Sequence, residues 1–180
     1  EMFMILERLM KNFNIPEGDI MFLAPRDDLI EQLKNEVDEF NQTPGNPWIE
    51  LINLKDYNDV KWENKLKFKD EVTVFYYRSD NISEETKELL LSYKDIENSG
   101  NWYILLDEAH KGSKNDSVRQ AYYTILSRNR FLFNFSATFT EEQDKDTTVA
   151  NFNLKEFITA GYGKNIYVSK SEFDSFKDKE

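Results

Sequence analysis

The sequence predicts an α/β domain with a parallel sheet between layers of helices. Two observations support this. Apolar runs that suit buried strands alternate along the chain with segments of helical periodicity, which is the pattern of a parallel sheet with helical crossovers. Two of these runs, Tyr103–Leu106 and Phe131–Phe135, each lead into a polar cluster. In parallel α/β sheets ligands bind outside the carboxyl ends of the strands, so the chemistry is expected at that edge.

The chain opens with a predicted amphipathic helix and a strand. Apolar residues within Glu1–Phe13 follow the three-and-four spacing of a helix. Asp19–Ala24 is a short apolar run that predicts a strand, and Pro25 then begins a loop into a second helix. Asp27 or Asp28 is expected to cap that helix, because Asp is a favoured N-cap residue.

The remaining elements continue the alternation. Trp48–Leu54 and Val72–Tyr77 predict two more strands. Ser83–Leu91 predicts a helix with serine as its cap and acidic residues in its first turn. Val118–Leu126 predicts a helix that packs beneath the sheet. The alternating phenylalanines of Phe131–Phe135 are most simply core residues, with stacking on nucleic acid bases as the alternative.

Composition favours one globular domain. The chain has 180 residues, of which 39% are hydrophobic and 14% aromatic, so a disordered acidic tail does not describe it as a whole. It contains no cysteine, which excludes disulfides and thiolate metal sites and fits a reducing cytoplasm. Its apolar runs are shorter than a membrane span, and no signal-peptide layout is visible. We therefore expect a cytoplasmic protein without a membrane partner.

The charge of the chain bears on nucleic acid binding. It has 34 acidic and 23 basic residues, a formal net charge of -11 and a pI near 4.7. Non-specific affinity for nucleic acids comes mainly from basic groups that displace counterions. This chain alone is therefore expected to bind DNA or RNA poorly.

Two adjacent carboxylates follow the strand at Tyr103–Leu106. Asp107 and Glu108 would have different tasks at a nucleotide site: Asp107 would hold Mg²⁺, usually through water, and Glu108 would polarise the attacking water. The alternative is a solvated strand end followed by a helix cap.

These carboxylates belong to the first of two motifs that resemble those of the superfamily 2 helicase-type motor ATPases. Asp107-Glu108-Ala109-His110 matches the Walker B motif of that family, and Ser136-Ala137-Thr138 matches its third motif. The resemblance implies a three-layer, RecA-like first lobe of the P-loop NTPase type that uses ATP and Mg²⁺. It further implies that Asp107 and Glu108 are catalytic. It also implies a second set of residues that couple the state of the nucleotide to the surface that binds nucleic acid. These are His110, Ser136, Ala137 and Thr138.

The loop at Pro25 is similar to motif Ia of the same family. In the relatives this loop touches the backbone of one nucleic acid strand, so Pro25 and Arg26 are candidate nucleic-acid-binding residues. The first-turn amides of the following helix, together with Arg26, would form a phosphate-binding corner. Alternatively, a proline followed by an Asp-capped helix is common wherever a loop leads from a strand into a helix, and it then indicates no binding function. If the resemblance holds, Pro25, Asp107 and Ser136 lie along one carboxyl edge.

The phosphate loop of the family has no counterpart in the sequence. A P-loop reads G-x-x-x-x-G-K-[ST], and no segment of the chain matches it. The nearest segment, Gly161–Lys164, has Ile158 in place of the first glycine and Asn165 in place of Ser or Thr. We interpret it as turn chemistry. The chain is therefore expected to begin at or just after a lost P-loop, as an N-terminally truncated lobe without ATP turnover of its own.

The segment after the third motif suggests a subfamily. Residues 149–169 are similar to the passage that leaves the first motor lobe in type III restriction endonuclease R (Res) subunits. We expect residues 1–169 to form part of the first lobe, and residues 170–180 to be a tail or the start of the interlobe linker. The resemblance implies an ATP-dependent DNA helicase or translocase. Its partners would be DNA, the second RecA-like lobe, and a methyltransferase or specificity subunit. An RNA helicase lobe and a non-catalytic binding module that kept the fold are the alternatives.

Overall fold

The computed structural model describes residues 5–6, 16–61, 71–107, 114–136 and 159. The chain divides into two compact units, Glu1–Thr138 and Phe139–Glu180, and the fold below lies in the first. Most of the predicted helix Glu1–Phe13 and, apart from residue 159, all of residues 149–169 lie outside the described residues. Ile5 and Leu6 are helical, and Leu6 is buried.

A five-stranded parallel sheet forms the centre of the domain. Its strands are β1 (Asp19–Ala24), β2 (Trp48–Asn53), β3 (Glu71–Arg78), β6 (Trp102–Leu106) and β7 (Leu132–Asn134). Their order across the sheet is β2-β3-β1-β6-β7. A separate pair of short parallel strands contains β4 (Ile82–Ser83) and β5 (Leu91–Ser92). The α/β fold with a parallel sheet is thus confirmed, and the predicted strands differ by only a few terminal residues.

Helices pack on both faces of the sheet, as predicted. They are α1 (Asp27–Gln42), α2 (Tyr57–Val60) and α3 (Lys114–Leu126). Alternate residues of β1 point to opposite faces: Phe22 packs in a cluster with Leu33 of α1, whereas Leu23 packs in a cluster with Leu126 of α3. Because apolar layers cover both faces, β6 is buried along its whole length. Within the described residues, no helix is long and apolar enough to cross a membrane.

The predicted helix at Ser83–Leu91 is wrong. Ser83 ends β4, and the chain then bends back to β5. The Ser83 hydroxyl donates to the carbonyl of Glu85 at 2.6 Å, and the Ser92 hydroxyl donates to the carbonyl of Glu84 at 2.8 Å. Local hydrogen bonds from side chains to the backbone compete with the backbone hydrogen bonds of a helix, and in this segment they replace them.

Two further predictions need correction. The residue at the N-cap of α1 is Arg26, which has extended backbone angles and makes no side-chain cap hydrogen bond, so neither Asp27 nor Asp28 caps the helix. Among the phenylalanines of the last strand, Phe133 and Phe135 are partly buried against the core. Phe131 precedes the strand and is 58% exposed, so the core interpretation fails for it.

Candidate functional site

Three of the predicted site residues lie at the carboxyl edge of the sheet. Pro25 follows β1, Asp107 follows β6, and Ser136 lies two residues after β7. The backbone N–H of Asp107 donates to the carbonyl of Leu23 at 2.9 Å, so the pairing of β1 with β6 continues to this residue. The residues that immediately precede the two motifs are hydrogen-bonded to each other as well, because the N–H of Phe135 donates to the carbonyl of Leu106 at 2.8 Å. Their location at one edge agrees with the prediction.

The other predicted site residues lie outside the described residues. They are Glu108, Ala109, His110, Ala137 and Thr138. Their roles, and those of Asp107, Ser136, Pro25 and Arg26, stay predictions.

The surroundings of Asp107 fit a magnesium ligand. It follows five consecutive buried residues of β6 and is itself half-buried at the sheet edge. Mg²⁺ is a hard cation that usually binds one or two carboxylates, with substrate phosphates and waters as its other ligands. Within the described residues no group of three or more His, Cys, Asp or Glu side chains could hold a metal. A single carboxylate such as Asp107 is consistent with a metal that binds together with a nucleotide.

The loop between β1 and α1 contains a partly exposed arginine. The Nε of Arg26 lies 3.3 Å from Oδ1 of Asp28, and both side chains are more than half exposed. The carbonyl of Arg26 accepts the N–H of Ile30 at 3.4 Å, which begins the hydrogen bonding of α1. Arg26 is thus next to the first-turn amides of the helix, as the phosphate-binding hypothesis requires.

Sequence reasoning missed Arg78, the last residue of β3. Its Nε and Nη2 donate to the two carboxylate oxygens of Asp80 at 2.9 and 2.6 Å, and its Nη1 donates to Oδ2 of Asp27 at 2.9 Å. The hydrogen bonds that Arg78 donates to Asp80, and the charges of both carboxylates, raise the pKa of Arg78. The available signal was an arginine at the end of the β run VTVFYYR, with Asp80 two residues later.

The charges in this corner therefore mostly compensate one another. The corner contains Arg26, Asp27, Asp28, Arg78 and Asp80. It holds two arginines and three aspartates, and each arginine pairs with at least one of these aspartates. A nucleic acid phosphate that bound an arginine here would compete with a carboxylate. This competition agrees with the weak binding that the acidic composition predicts.

A buried hydrogen bond joins α3 to the same edge. The Tyr123 hydroxyl donates to the carbonyl of Ser79 at 2.7 Å, and both residues are buried. Ser79 begins the short 3₁₀ turn that follows Arg78. The helix between the two motif strands therefore contacts the turn that positions Arg78.

Comparison with known proteins gives a family match. The family model described as type III restriction enzyme, res subunit, matches residues 2–141. Searches of curated proteins and of solved structures found no match.

Proposed function

Because the chain belongs to the type III restriction enzyme res subunit family, which is helicase-like, we propose that it is part of an ATP-dependent motor that moves along DNA. One observation carries the proposal. Asp107 and Ser136 follow adjacent parallel strands at one carboxyl edge, with the bond from Phe135 to Leu106 between them. At such an edge one motif can contact a nucleotide while its neighbour responds to it.

In this motor the carboxylates would have separate roles. Asp107 would hold Mg²⁺ through water, and Glu108 would orient and polarise the attacking water. Mg²⁺, when bound with ATP, neutralises charge that develops on the transferred phosphoryl group. His110, Ser136 and Thr138 would couple the nucleotide state to the DNA surface. The second lobe would supply an arginine that stabilises the same charge.

The loop of Pro25 and Arg26 would contact the DNA backbone. Amides in the first turn of α1 and the guanidinium of Arg26 suit a phosphate. Because Asp28 already pairs with Arg26, we propose that this contact positions a strand that is held mainly elsewhere in the motor. The net charge of -11 agrees with a minor contribution of this chain to DNA binding.

The test is nucleic-acid-stimulated ATP hydrolysis by the native protein that carries this chain. We expect duplex DNA to raise the rate and RNA of the same length to leave it unchanged. Glu108→Gln should lower the rate of hydrolysis by about 10²-fold or more, whereas Glu39→Gln, at an exposed position on α1, should leave the rate unchanged. Stimulation by RNA alone would favour the RNA helicase alternative. A protein that binds DNA without any hydrolysis would favour the non-catalytic module.

A further inference from the structure

A cavity of about 960 Å³ lies at the amino edge of the sheet, opposite the edge of the two motifs. Asp19, the first residue of β1, lines it together with Tyr57 of α2 and Asn98. It is an open, polar cavity, and no residue of the proposed motor site lines it.

The two carboxylate oxygens of Asp19 differ in the hydrogen bonds that they accept from the described residues. Its Oδ2 accepts hydrogen bonds from the Tyr57 hydroxyl at 3.1 Å and from Nδ2 of Asn98 at 2.8 Å. Within the described part of the chain, no side chain or backbone group donates to Oδ1. Asp19 is half-buried and lines the cavity, so its carboxylate lies at the cavity wall.

The pattern of donors and acceptors selects the kind of ligand. Tyr57 uses its only proton on Asp19, which leaves its oxygen as an acceptor. Asn98 uses its amide nitrogen on the same carboxylate and keeps its amide oxygen as an acceptor. The three groups therefore offer acceptor oxygens around a negative charge. A cation that only donates hydrogen bonds complements such a set, and guanidinium, a planar fork of donors, complements several acceptors at once.

The acceptors are held in place before any ligand arrives. The Tyr57 ring packs against Phe75 and Trp102, with ring centroids 5.1 and 4.8 Å apart. Residues 98–100 have left-handed backbone angles, with φ of 48°, 54° and 75°. Asn129 holds this turn through bonds to the carbonyls of Ser99 at 2.8 Å and Gly100 at 2.9 Å. Preorganised groups bind a ligand with a smaller loss of conformational freedom.

The cations that line the cavity leave the charge of Asp19 uncompensated. Lys94 pairs with Glu84 at 3.0 Å, and Lys61 donates to Oδ1 of Asn58 at 3.0 Å. Arg130 donates to the carbonyl of Glu17 at 2.6 Å. No described cation lies within ion-pair distance of Asp19. Burial raises the pKa of Asp19 while its two hydrogen bonds lower it, as expected for a partly desolvated carboxylate with no cation of the described residues beside it.

We propose that this cavity is a binding site for a guanidinium group, with Asp19 as its anion and Tyr57 and Asn98 as its neutral acceptors. The guanidinium is either a small molecule or the side chain of an arginine in a peptide. The site is independent of the proposed motor function, because it lies at the other edge of the sheet and involves none of the motor residues.

The test follows backbone amide signals of residues 98–101 by nuclear magnetic resonance while the 180-residue chain is titrated. The probes are ethylguanidinium, the neutral analogue ethylurea, and acetyl-Gly-Arg-Gly-amide. We expect saturable shifts with ethylguanidinium and at least tenfold weaker binding of ethylurea. Tighter binding of the peptide than of ethylguanidinium would identify an arginine side chain as the source, and equal or weaker binding a small molecule.

Matched variants separate the site from general charge effects. Asp19→Asn should weaken ethylguanidinium binding at least tenfold, whereas Asp59→Asn, an equal charge change at an exposed position of α2, should not change it. Tyr57→Phe keeps the ring and removes one acceptor oxygen. It should weaken ethylguanidinium binding severalfold, and it tests the site if Asp19→Asn fails to fold. Equal binding by wild type, Asp19→Asn and Tyr57→Phe would overturn the proposal. So would equal binding of ethylguanidinium and ethylurea, or saturable shifts with Mg²⁺ alone.

Discussion

The guanidinium of Arg78 donates to Oδ2 of Asp27 at 2.9 Å and so joins the end of β3 to the first residue of α1. Arg78 is the register partner of Ala24, the last residue of β1. The loop of Pro25 and Arg26 is therefore fixed at both ends, by the sheet on one side and by this ion pair on the other. Arg78 thus positions the loop that is proposed to contact DNA.

Replacing Arg78 should destabilise the domain and loosen this loop. Arg78→Gln removes the bidentate pair with Asp80 and the bond to Asp27. We expect a loss of about 1 kcal/mol in the free energy of unfolding, because partly exposed pairs contribute little each. Urea unfolding measures this loss, and hydrogen exchange of the first-turn amides of α1 measures the loosening.

Two control variants make the result specific to Arg78. Arg78→Lys should also lose stability, since a lysine cannot form the bidentate pair. Lys87→Gln breaks only the exposed pair with Glu85 and should change the free energy of unfolding by less than about 0.5 kcal/mol. If amide exchange in α1 were identical in wild type and Arg78→Gln, Arg78 would not position the loop.

The buried hydrogen bond from the Tyr123 hydroxyl to the Ser79 carbonyl should contribute measurably to the stability of the domain. Tyr123→Phe removes one of two hydrogen bonds that the Ser79 carbonyl accepts, the other being from the N–H of Ile82, so we expect a loss of about 1 kcal/mol in the free energy of unfolding. Tyr122→Phe is the matched control. Tyr122 stacks on Tyr93 at 4.5 Å, and the substitution keeps that ring contact. Equal stability of the two variants in urea would show that the Ser79 bond contributes nothing.

The two carboxylates of the first motif should respond differently in the native protein. Glu108→Gln removes the charge that activates water, so hydrolysis should fall by about 10²-fold or more while ATP binding survives. Asp107→Asn should weaken the Mg²⁺-dependent part of ATP binding, because a carboxylate suits a hard cation better than an amide does. Single-turnover hydrolysis and ATP titrations with and without Mg²⁺ distinguish these effects. A Glu108→Gln protein that hydrolyses ATP at the wild-type rate would remove Glu108 from catalysis.

The strands were predictable because their signal is local. β1, β3 and β6 are apolar runs buried on both faces, and such runs are recognisable without knowledge of their neighbours. Their parallel pairing follows from the alternation with helices. The edge that holds Asp107 and Ser136 then follows from strand direction alone. The family, too, was predictable from the two motifs at these strand ends.

The missed features depend on contacts between distant segments. Arg78 matters because the register of β1 and β3 brings it beside Asp27, which is 51 positions earlier in the chain. The segment after Ser83 has a helix-like sequence, but the Thr86 hydroxyl donates to Asp95 at 2.6 Å and accepts the N–H of Ser92 at 3.0 Å. These bonds hold the segment against β5. Helical propensity and capping patterns do not reveal that Asp95 and Ser92 are the partners of Thr86. The boundary at residue 169 stays a prediction.

Asp19 should make the stability of the domain depend on pH in an unusual direction. Its pKa is raised in the folded state above the ordinary 3.8, with burial as the main cause. The folded state therefore binds the Asp19 proton more readily than the unfolded chain does. The contribution of this group to stability is fully present below pH 3.8 and is lost as the pH rises through the folded pKa.

Asn at position 19 does not titrate, so the comparison with Asp19→Asn isolates this effect. The free energy of unfolding of Asp19→Asn minus that of wild type should increase as the pH rises from below 3.8 to neutrality. Urea unfolding of both proteins across that range measures it, and Asp59→Asn serves as the control. A difference that is constant with pH, or that decreases toward neutrality, would show that the pKa of Asp19 is not raised. Binding of ethylguanidinium should change over the same window, weakening as Asp19 is protonated, because the neutral acid no longer attracts a cation.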